Sequence, residues 1–250
     1  MSQYVFGTGQ LFSTPVGGGA PLKFGALQDV SVDFNGEIKT LFGQYQYPLS
    51  SARGKTTIEW KAASGNIDAA AFNSIFFGQT VEANDELLQV FNEAGTVPAM
   101  TTYTITVAQA ATFFMDLGVT LADGTPLVQV AATPADGEYS VSASGVYTFN
   151  AAQASEDVLI SYMYESATTG GTLTISNQLM GNTPRFQIVL SQIFEGKTFT
   201  LILFSAVSEK LSLPLKQDDY LVADLSGQAF ANDANQIGRI TTTSITGGGN

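Results

Sequence analysis

The sequence contains neither cysteine nor histidine among its 250 residues. Without cysteine, the fold has no disulfides and no thiolate ligands, so a hydrophobic core must hold it together. Without histidine, it lacks the commonest general base, the usual zinc ligand and every catalytic triad built on imidazole. We therefore predict no catalytic residues, no metal, no cofactor and no enzymatic activity.

Long apolar runs are also missing. The longest, residues 199–207, is too short to cross a bilayer and is interrupted by Thr200 and Ser205. The first 25 residues show no basic segment followed by an apolar one, which a secretory signal requires. We expect no membrane span and a protein that is made in a cytoplasm.

The chain has a net charge of -12, and its middle, residues 62–184, contains no lysine or arginine. Twelve carboxylates lie in that stretch: Asp68, Glu82, Asp85, Glu86, Glu93, Asp116, Asp123, Asp136, Glu138, Glu156, Asp157 and Glu165. Nucleic-acid binders neutralise phosphates with Lys and Arg, so specific binding of DNA or RNA is not expected. The acidity serves either general solubility or a shaped acidic surface.

The clearest strand signal begins at residue 29, where polar and apolar residues alternate. Asp29, Asp33 and Glu37 fall on one face, and Val30, Val32, Phe34 and Ile38 fall on the other. Burying unpaired carboxylates costs several kcal/mol each, so the acidic face meets water or a polar partner. The apolar face is predicted to belong to a core.

Residues 43–55 interrupt this pattern, and alternation resumes with Ile58 and Trp60. The interruption predicts an overlong hairpin loop that carries Tyr45, Tyr47, Pro48 and Arg53. Loops of about a dozen residues are usually functional or disordered. We interpret this loop as a candidate contact arm.

One helix is predicted over residues 66–77. Asn66 is the candidate N-cap, Ile67, Ala71 and Ile75 recur at four-residue spacing, and Gly78 ends the helix. The apolar stripe should pack on one face of a sheet.

The chain is predicted to have a discontinuous organisation. Residues 1–23 read as an N-terminal arm that either orders against a neighbouring subunit or frays. Residues 24–95 and 166–246 form one β domain, and residues 96–165 form an inserted acidic β subdomain with Asp-Gly and Ser-Gly turns. Residues 247–250 read as a flexible tail.

Two further sets of residues could serve glycoside hydrolysis or sugar binding. Paired carboxylates could hydrolyse glycosides, and Asp218 with Asp219 or Asp29 with Asp33 are the available pairs, although adjacent acids before an aromatic are typical of a turn. Exposed aromatics could stack on sugar rings, but Trp60 lies on the apolar side of its strand and is predicted to be core.

Several stretches resemble the tail tube (major tail) proteins of tailed bacteriophages. The similar runs are KTLFGQYQYPLSSARGKTTIEWKAASGNIDAAAFNSIFFGQTV, GEYSVSASGVYTFNAAQASEDVLISYMYE, NQLMGNTPRFQIVL and KLSLPLKQDDYLVADLSGQAFAN. The resemblance implies a mainly β fold, a sandwich or barrel with one flanking α-helix, to which the small β unit is added.

The same resemblance implies a structural virion protein. Its subunits form hexameric rings that stack into a tube and meet other tail proteins, and DNA passes through without specific binding. Residues 43–55 would be the arm that reaches the adjacent ring, and Asp29, Asp33 and Glu37 would suit an acidic lumen, with an ordinary solvated face as the alternative. The protein would be assembled in the host cytoplasm and located in the virion tail. The alternatives are a capsid decoration or head-to-tail joining protein, and a carbohydrate-binding or receptor-binding β-sandwich module.

Overall fold

The computed structural model describes residues 4–66 and 68–243. The chain is mainly β, as predicted, and divides into two compact units. Unit 1 comprises Met1–Val81 and Leu173–Asn250, and unit 2 comprises Glu82–Thr172. The predicted insertion began at residue 96 and ended at 165, so unit 2 contains additional residues on both sides. The predicted tail, residues 247–250, lies outside the described residues.

The strands of the described chain are, in order, β1 Gln10–Pro15, β2 Leu22–Phe24, β3 Leu27–Phe42, β4 Pro48–Ser64, β5 Val81–Ala83, β6 Glu86–Thr96, β7 Thr104–Thr106, β8 Phe113–Leu121, β9 Val128–Gln129, β10 Glu138–Val141, β11 Val146–Phe149, β12 Asp157–Ser166, β13 Gly171–Leu173, β14 Phe186–Phe194, β15 Lys197–Ser212, β16 Ala223–Ala229 and β17 Gly238–Thr242. The helical elements are α1 Ala69–Phe72, a π-helical turn Asn73–Phe77, and the 3₁₀ turns Ala110–Thr112 and Ala151–Gln153.

Unit 1 is built on one curved sheet. Its strand order is β2-β1-β14-β15-β16-β4-β3, and β17 pairs with β15 beside this path. The two end strands, β2 and β3, are joined by only Gly25 and Ala26. Because two residues cannot span a flat sheet of this width, the sheet must curl until its ends meet. Ala26 takes a left-handed φ of 49° at this corner, and its carbonyl accepts a hydrogen bond from the Gly65 N–H.

The N-terminal segment belongs to this sheet, although the sequence suggested an arm. Residues 10–15 form β1, which pairs with β14 and β2. Leu11 is 4% exposed and contributes to the core of unit 1. The apolar residues of the predicted arm therefore fill the protein's own core over this stretch; residues 1–3 lie outside the described residues.

The core of unit 1 lies on the face of the sheet where the predicted alternation places Ile58 and Trp60. Trp60 is 3% exposed and packs edge-on against Phe186, with 5.7 Å between ring centroids. This confirms the prediction that Trp60 is core rather than a sugar-stacking residue.

A short helix covers this core, but it starts later than predicted. Asp68, rather than Asn66, is the N-cap, and its Oδ1 accepts the Ala70 N–H over 2.9 Å. The last turn is π-helical, and Gly78 ends it with a left-handed φ of 63°, as predicted. Ala71 and Ile75 are buried as the spacing predicted; Ile67 lies outside the described residues.

Unit 2 is a small sandwich of two sheets. The strand orders are β7-β11-β10-β9 and β6-β12-β8. Its core is rich in tyrosine: Tyr139, Tyr147 and Tyr162 are at most 2% exposed. The short strands β5 and β13 pair with each other where the chain enters and leaves this unit.

Candidate assembly site

A two-stranded ribbon extends beyond the main sheet of unit 1. Strand β16 pairs with β4 only from Ile58 to Ser64, so residues 48–57 of β4 pair with β3 alone. We call residues 35–57 the ribbon. Every residue of the ribbon is exposed. At about 3.3 Å per residue, its strands extend about 25 Å beyond the edge of strand β16.

The ribbon replaces most of the predicted loop. The sequence suggested an irregular arm over residues 43–55, but only residues 43–47 lie outside the strands. The register shifts twice, between Gly36 and Ile38 and between Leu41 and Phe42. Each shift interrupts the alternation, and exposure on both faces removes the apolar pattern that marks a half-buried strand.

The predicted arm residues all lie in the outer part of the ribbon. Tyr45 and Tyr47 lie in the turn and are 71% and 80% exposed. Pro48 is opposite Phe42, and Arg53 is opposite Ile38. The Arg53 side chain lies over Gly36, where an added Cβ would be 3.3 Å from the Arg53 Cδ.

Sequence reasoning missed further apolar residues around the tyrosines. Ile38, Leu41, Phe42 and Leu49 are between 57% and 69% exposed. The alternation assigned Ile38, together with Phe34, to a core-facing side, which is wrong for both because Phe34 is 55% and Ile38 69% exposed. Leu41, Phe42 and Leu49 were apolar in the sequence but were not singled out. Monomers rarely expose a contiguous apolar surface without an interaction to cover it. The ribbon is therefore the candidate assembly site.

The predicted acidic face is exposed but of mixed charge. Asp29, Asp33 and Glu37 are all exposed on β3, and Glu37 lies in the register shift between Gly36 and Ile38. Glu37 forms an ion pair with Lys39, and Lys61 on β4 is opposite Ser31, between the two aspartates. Beyond Lys61 the same row continues to Ser226 on β16 and Lys210 on β15. The face therefore alternates acidic and basic positions.

A cleft of about 300 Å³ lies on this charged face. Its polar lining comprises Asp29, Lys61, Lys210, Asp224 and Ser226. Within the described residues, neither lysine has a carboxylate oxygen within 4.0 Å. The four charged side chains of the cleft are exposed, so it offers charge but little enclosure.

A second, apolar groove of about 230 Å³ lies where the ribbon leaves the sheet. It is lined by Phe34, Thr56, Ile58, Leu201, Leu203, Ile237, Gly238, Arg239 and Ile240. β17 pairs with β15 on one side only, so its other edge borders the groove. The groove is apolar at its base and carries a cation, Arg239.

The carboxylate pairs considered for glycoside hydrolysis are not arranged for it. Asp219 accepts the Tyr220 N–H over 2.9 Å and lies 3.7 Å from Lys216, as expected for a surface turn. Asp29 and Asp33 are four residues apart on one strand, about 13 Å at about 3.3 Å per residue. Glycosidase carboxyl groups are separated by about 5 to 9.5 Å.

The strongest perturbation of titratable groups occurs inside unit 2. Asp116 accepts hydrogen bonds from the Tyr139 hydroxyl over 2.5 Å and the Tyr147 hydroxyl over 2.7 Å. Burial, followed by these bonds, raises the pKa of both tyrosines. Burial likewise raises the pKa of Tyr162 to about 12, with a further contribution from its hydrogen bond to Glu93. These groups face a packed core, which indicates a structural role.

Over the described part of the chain, no group of three or more acidic side chains is placed to hold a metal ion. None of the helices in residues 4–66 and 68–243 has the length and apolar character needed to cross a membrane. The chain matches no protein-family model, and no curated protein is significantly similar to it.

Proposed function

We propose that this chain is a structural virion protein, the subunit of a bacteriophage tail tube. Its copies assemble into hexameric rings that stack into a tube, and the tube conducts DNA during ejection. The exposed apolar ribbon is the observation that carries this proposal. The choice of family rests on the sequence resemblance alone, because no family model and no curated protein matches the chain.

The ribbon has the properties of an intersubunit arm. It places Leu41, Phe42, Tyr45, Tyr47 and Leu49 at the end of a hairpin, with exposed fractions from 57% to 80%. Burying such side chains against another copy removes apolar surface from water, at roughly 25 cal/mol per Å². A ribbon that docks on a different surface of the next copy makes a heterologous contact, which generates rings or filaments from identical copies.

The sheet of unit 1 supports lateral assembly. In the described residues, the ribbon strands and β17 each have one edge without a neighbouring strand. Exposed edges are templates for pairing with another chain. The outer face of β3, with Asp29 and Asp33 exposed, suits a surface past which DNA moves, because acidic groups repel phosphates. Lys61 and Lys210 moderate that charge.

The test compares self-association of three proteins over a concentration series by negative-stain electron microscopy and sedimentation velocity. The ribbon variant is Phe42→Ser/Tyr45→Ser/Tyr47→Ser. The matched control is Leu179→Ser/Met180→Ser/Tyr220→Ser, which removes three apolar side chains of unit 1 that are at least 89% exposed.

We expect tubes of stacked rings from the natural sequence and from the control, and single rings or monomers from the ribbon variant. Monodisperse monomers of the natural sequence at every concentration would refute the proposal. Binding to glycan arrays that depends on Tyr45 and Tyr47, without self-association, would instead assign the ribbon to carbohydrate recognition.

A further inference from the structure

The ribbon is basic, although the protein as a whole is strongly acidic. Its charged residues are Glu37, Lys39, Arg53 and Lys55. Glu37 is paired with Lys39. Arg53 and Lys55 have no carboxylate oxygen within 4.0 Å in the part of the chain that is described. An apolar tip with two unpaired cations behind it fits an apolar surface bordered by acids.

Unit 2 has the opposite charge. Between Glu82 and Thr172 the sequence contains no lysine, arginine or histidine. Its carboxylates are those of the acidic middle of the chain without Asp68. Any surface of this unit is therefore acidic or neutral.

One sheet face of unit 2 is apolar, with half-buried residues on β12 and exposed ones on the strands beside it. In β12 the side chains of Val158, Ile160 and Tyr162 are buried at 0–1% exposure. The intervening residues Leu159, Ser161 and Met163 point to the other face, because successive side chains of a strand alternate. Two carboxylates, Asp157 and Glu165, occupy the two ends of the same row.

The neighbouring strands extend this face. Met163 is opposite Met115 on β8 and Gln89 on β6. Met115, Leu117 and Phe91 are 45%, 42% and 68% exposed. We call the outer face of β6, β12 and β8 the acceptor face: its centre is apolar, and it is bordered by acids without a compensating cation.

We propose that the ribbon of one copy docks on the acceptor face of unit 2 in a second copy. This inference rests on the proposed function and names the partner of the same site. The apolar tip covers Met115, Leu117 and Met163, while Arg53 and Lys55, which are two residues apart on β4, approach the carboxylate at one end of the row, Asp157 or Glu165. Complementary charge fixes the partner and register of an interface more than it adds affinity.

The apolar groove beside β17 is a competing acceptor for the ribbon, but its positive charge disfavours docking of a basic ribbon. Arg239 lines that groove, so docking would bring the cation close to Arg53 and Lys55 of the incoming ribbon. Like charges brought together at an interface cost several kcal/mol. The acceptor face has no such cation.

A charge-exchange experiment on the full chain tests the inference. The ribbon-reversed variant is Arg53→Glu/Lys55→Glu, and the face-reversed variant is Asp157→Lys/Glu165→Lys. The control, Glu82→Lys/Glu138→Lys, makes the same charge change in unit 2 outside the acceptor face. Because Asp157 accepts the Thr96 hydroxyl, circular dichroism and thermal unfolding must first show that each variant is folded.

We expect each reversed variant alone to associate about 100-fold more weakly than the natural sequence, since both interface partners then carry the same sign. An equimolar mixture of the two should recover association, because each ribbon then meets a face of opposite charge. The control should assemble normally, and added salt should weaken association of the natural sequence.

The other outcomes are distinguishable. Normal assembly of either reversed variant alone, or no recovery in the mixture, overturns this inference and leaves the tube proposal standing. No self-association of the natural sequence under any condition overturns both. Binding of the natural sequence to phosphatidylserine vesicles that is lost only in the ribbon-reversed variant, with normal assembly of the face-reversed variant, assigns the ribbon to a lipid surface and overturns the inference.

Discussion

The indole nitrogen of Trp60 donates a hydrogen bond to the Val207 carbonyl over 3.2 Å, although strand β16 lies between the two residues. Trp60 is opposite Gly227 on β16, and Gly227 is in turn opposite Ser208 on β15. The indole therefore crosses β16 through the space that a side chain at residue 227 would fill. This contact fixes three strands of unit 1 to one another at the base of the ribbon.

Replacement of Gly227 by alanine should destabilise unit 1. An added Cβ would lie 1.9 Å from the Val207 oxygen and 2.9 Å from the Trp60 Nε1. The backbone of β16 must therefore shift away from β15, and the hydrogen bond between the indole and the Val207 carbonyl is lost. We expect a loss of about 3 kcal/mol in the free energy of unfolding. Urea denaturation followed by fluorescence of the sole tryptophan measures it.

Gly17→Ala is the matched control, because nothing lies within 4 Å of an added Cβ there. Its unfolding midpoint should equal that of the natural sequence. A midpoint for the Gly227→Ala variant equal to that of the natural sequence would contradict the prediction, because it would show that β16 can move away from β15 without a loss in the free energy of unfolding.

The fold follows from the sequence where one face of a strand is buried. Alternation predicted the inward side of Ile58 and Trp60 because a core contacts only that face. The ribbon could not be predicted in this way, since cross-strand backbone bonds hold it and water contacts both its faces. Its residues 48–55 therefore carry no apolar period.

The helix boundary shows a second limit of sequence reasoning. Asn66 and Asp68 are both good N-caps, and the sequence does not decide between them. In the structure, the Ser64 hydroxyl donates to the Asn66 and Gly25 carbonyls, which keeps that segment in the corner of the sheet. Tertiary contacts with a distant residue thus delay the helix until Asp68. The acceptor face was missed for a similar reason, because its residues come from strands that only the fold brings together.

Removal of the helix cap should weaken unit 1 modestly. Asp68 accepts the Ala70 N–H over 2.9 Å and the Ala71 N–H over 3.4 Å. Asp68→Ala leaves both groups without their side-chain partner and should cost about 1 kcal/mol. Thermal unfolding of unit 1, followed by tryptophan fluorescence, provides the measurement. Asp233→Ala removes an exposed carboxylate without such bonds and should leave the transition unchanged; a similar loss in both variants would indicate a general charge effect.

Asp116 should be essential to the stability of unit 2. Asp116→Ala leaves the hydroxyls of Tyr139 and Tyr147 without their acceptor inside a core where both rings are at most 2% exposed. An orphaned buried hydroxyl costs about 1 to 3 kcal/mol, so we expect the two together to lower the free energy of unfolding by about 2 to 6 kcal/mol.

Hydrogen exchange with mass spectrometry can locate this effect. Protection should fall across residues 82–172 and remain unchanged in unit 1. Asp123→Ala is the control, because Asp123 bonds only within its own turn. An exchange profile of the Asp116→Ala variant that matched this control would contradict a structural role for the carboxylate.

Alkaline pH should destabilise unit 2 through Tyr162. Its hydroxyl donates to the Glu93 Oε2 over 2.6 Å and accepts the Gln109 N–H over 3.2 Å. Burial raises the pKa of Tyr162 to about 12, whereas an unfolded tyrosine ionises near pH 10. Below about pH 10 both states keep the proton, so the contribution of this group to stability is complete. Above about pH 10 the unfolded chain releases a proton that the folded protein retains, and stability falls as the pH rises towards 12.

The Tyr162→Phe variant separates this group from the rest of the protein. Phenylalanine cannot ionise, so the variant should lose part of the pH dependence of unfolding between about pH 10 and 12, while being less stable than the natural sequence near neutral pH because Glu93 and the Gln109 N–H lose a partner. Urea unfolding of unit 2, followed by near-ultraviolet circular dichroism at each pH, gives both quantities. Identical slopes in the two proteins would show that Tyr162 ionises alike in the folded and unfolded states, and that its place between Glu93 and the core does not hold its proton.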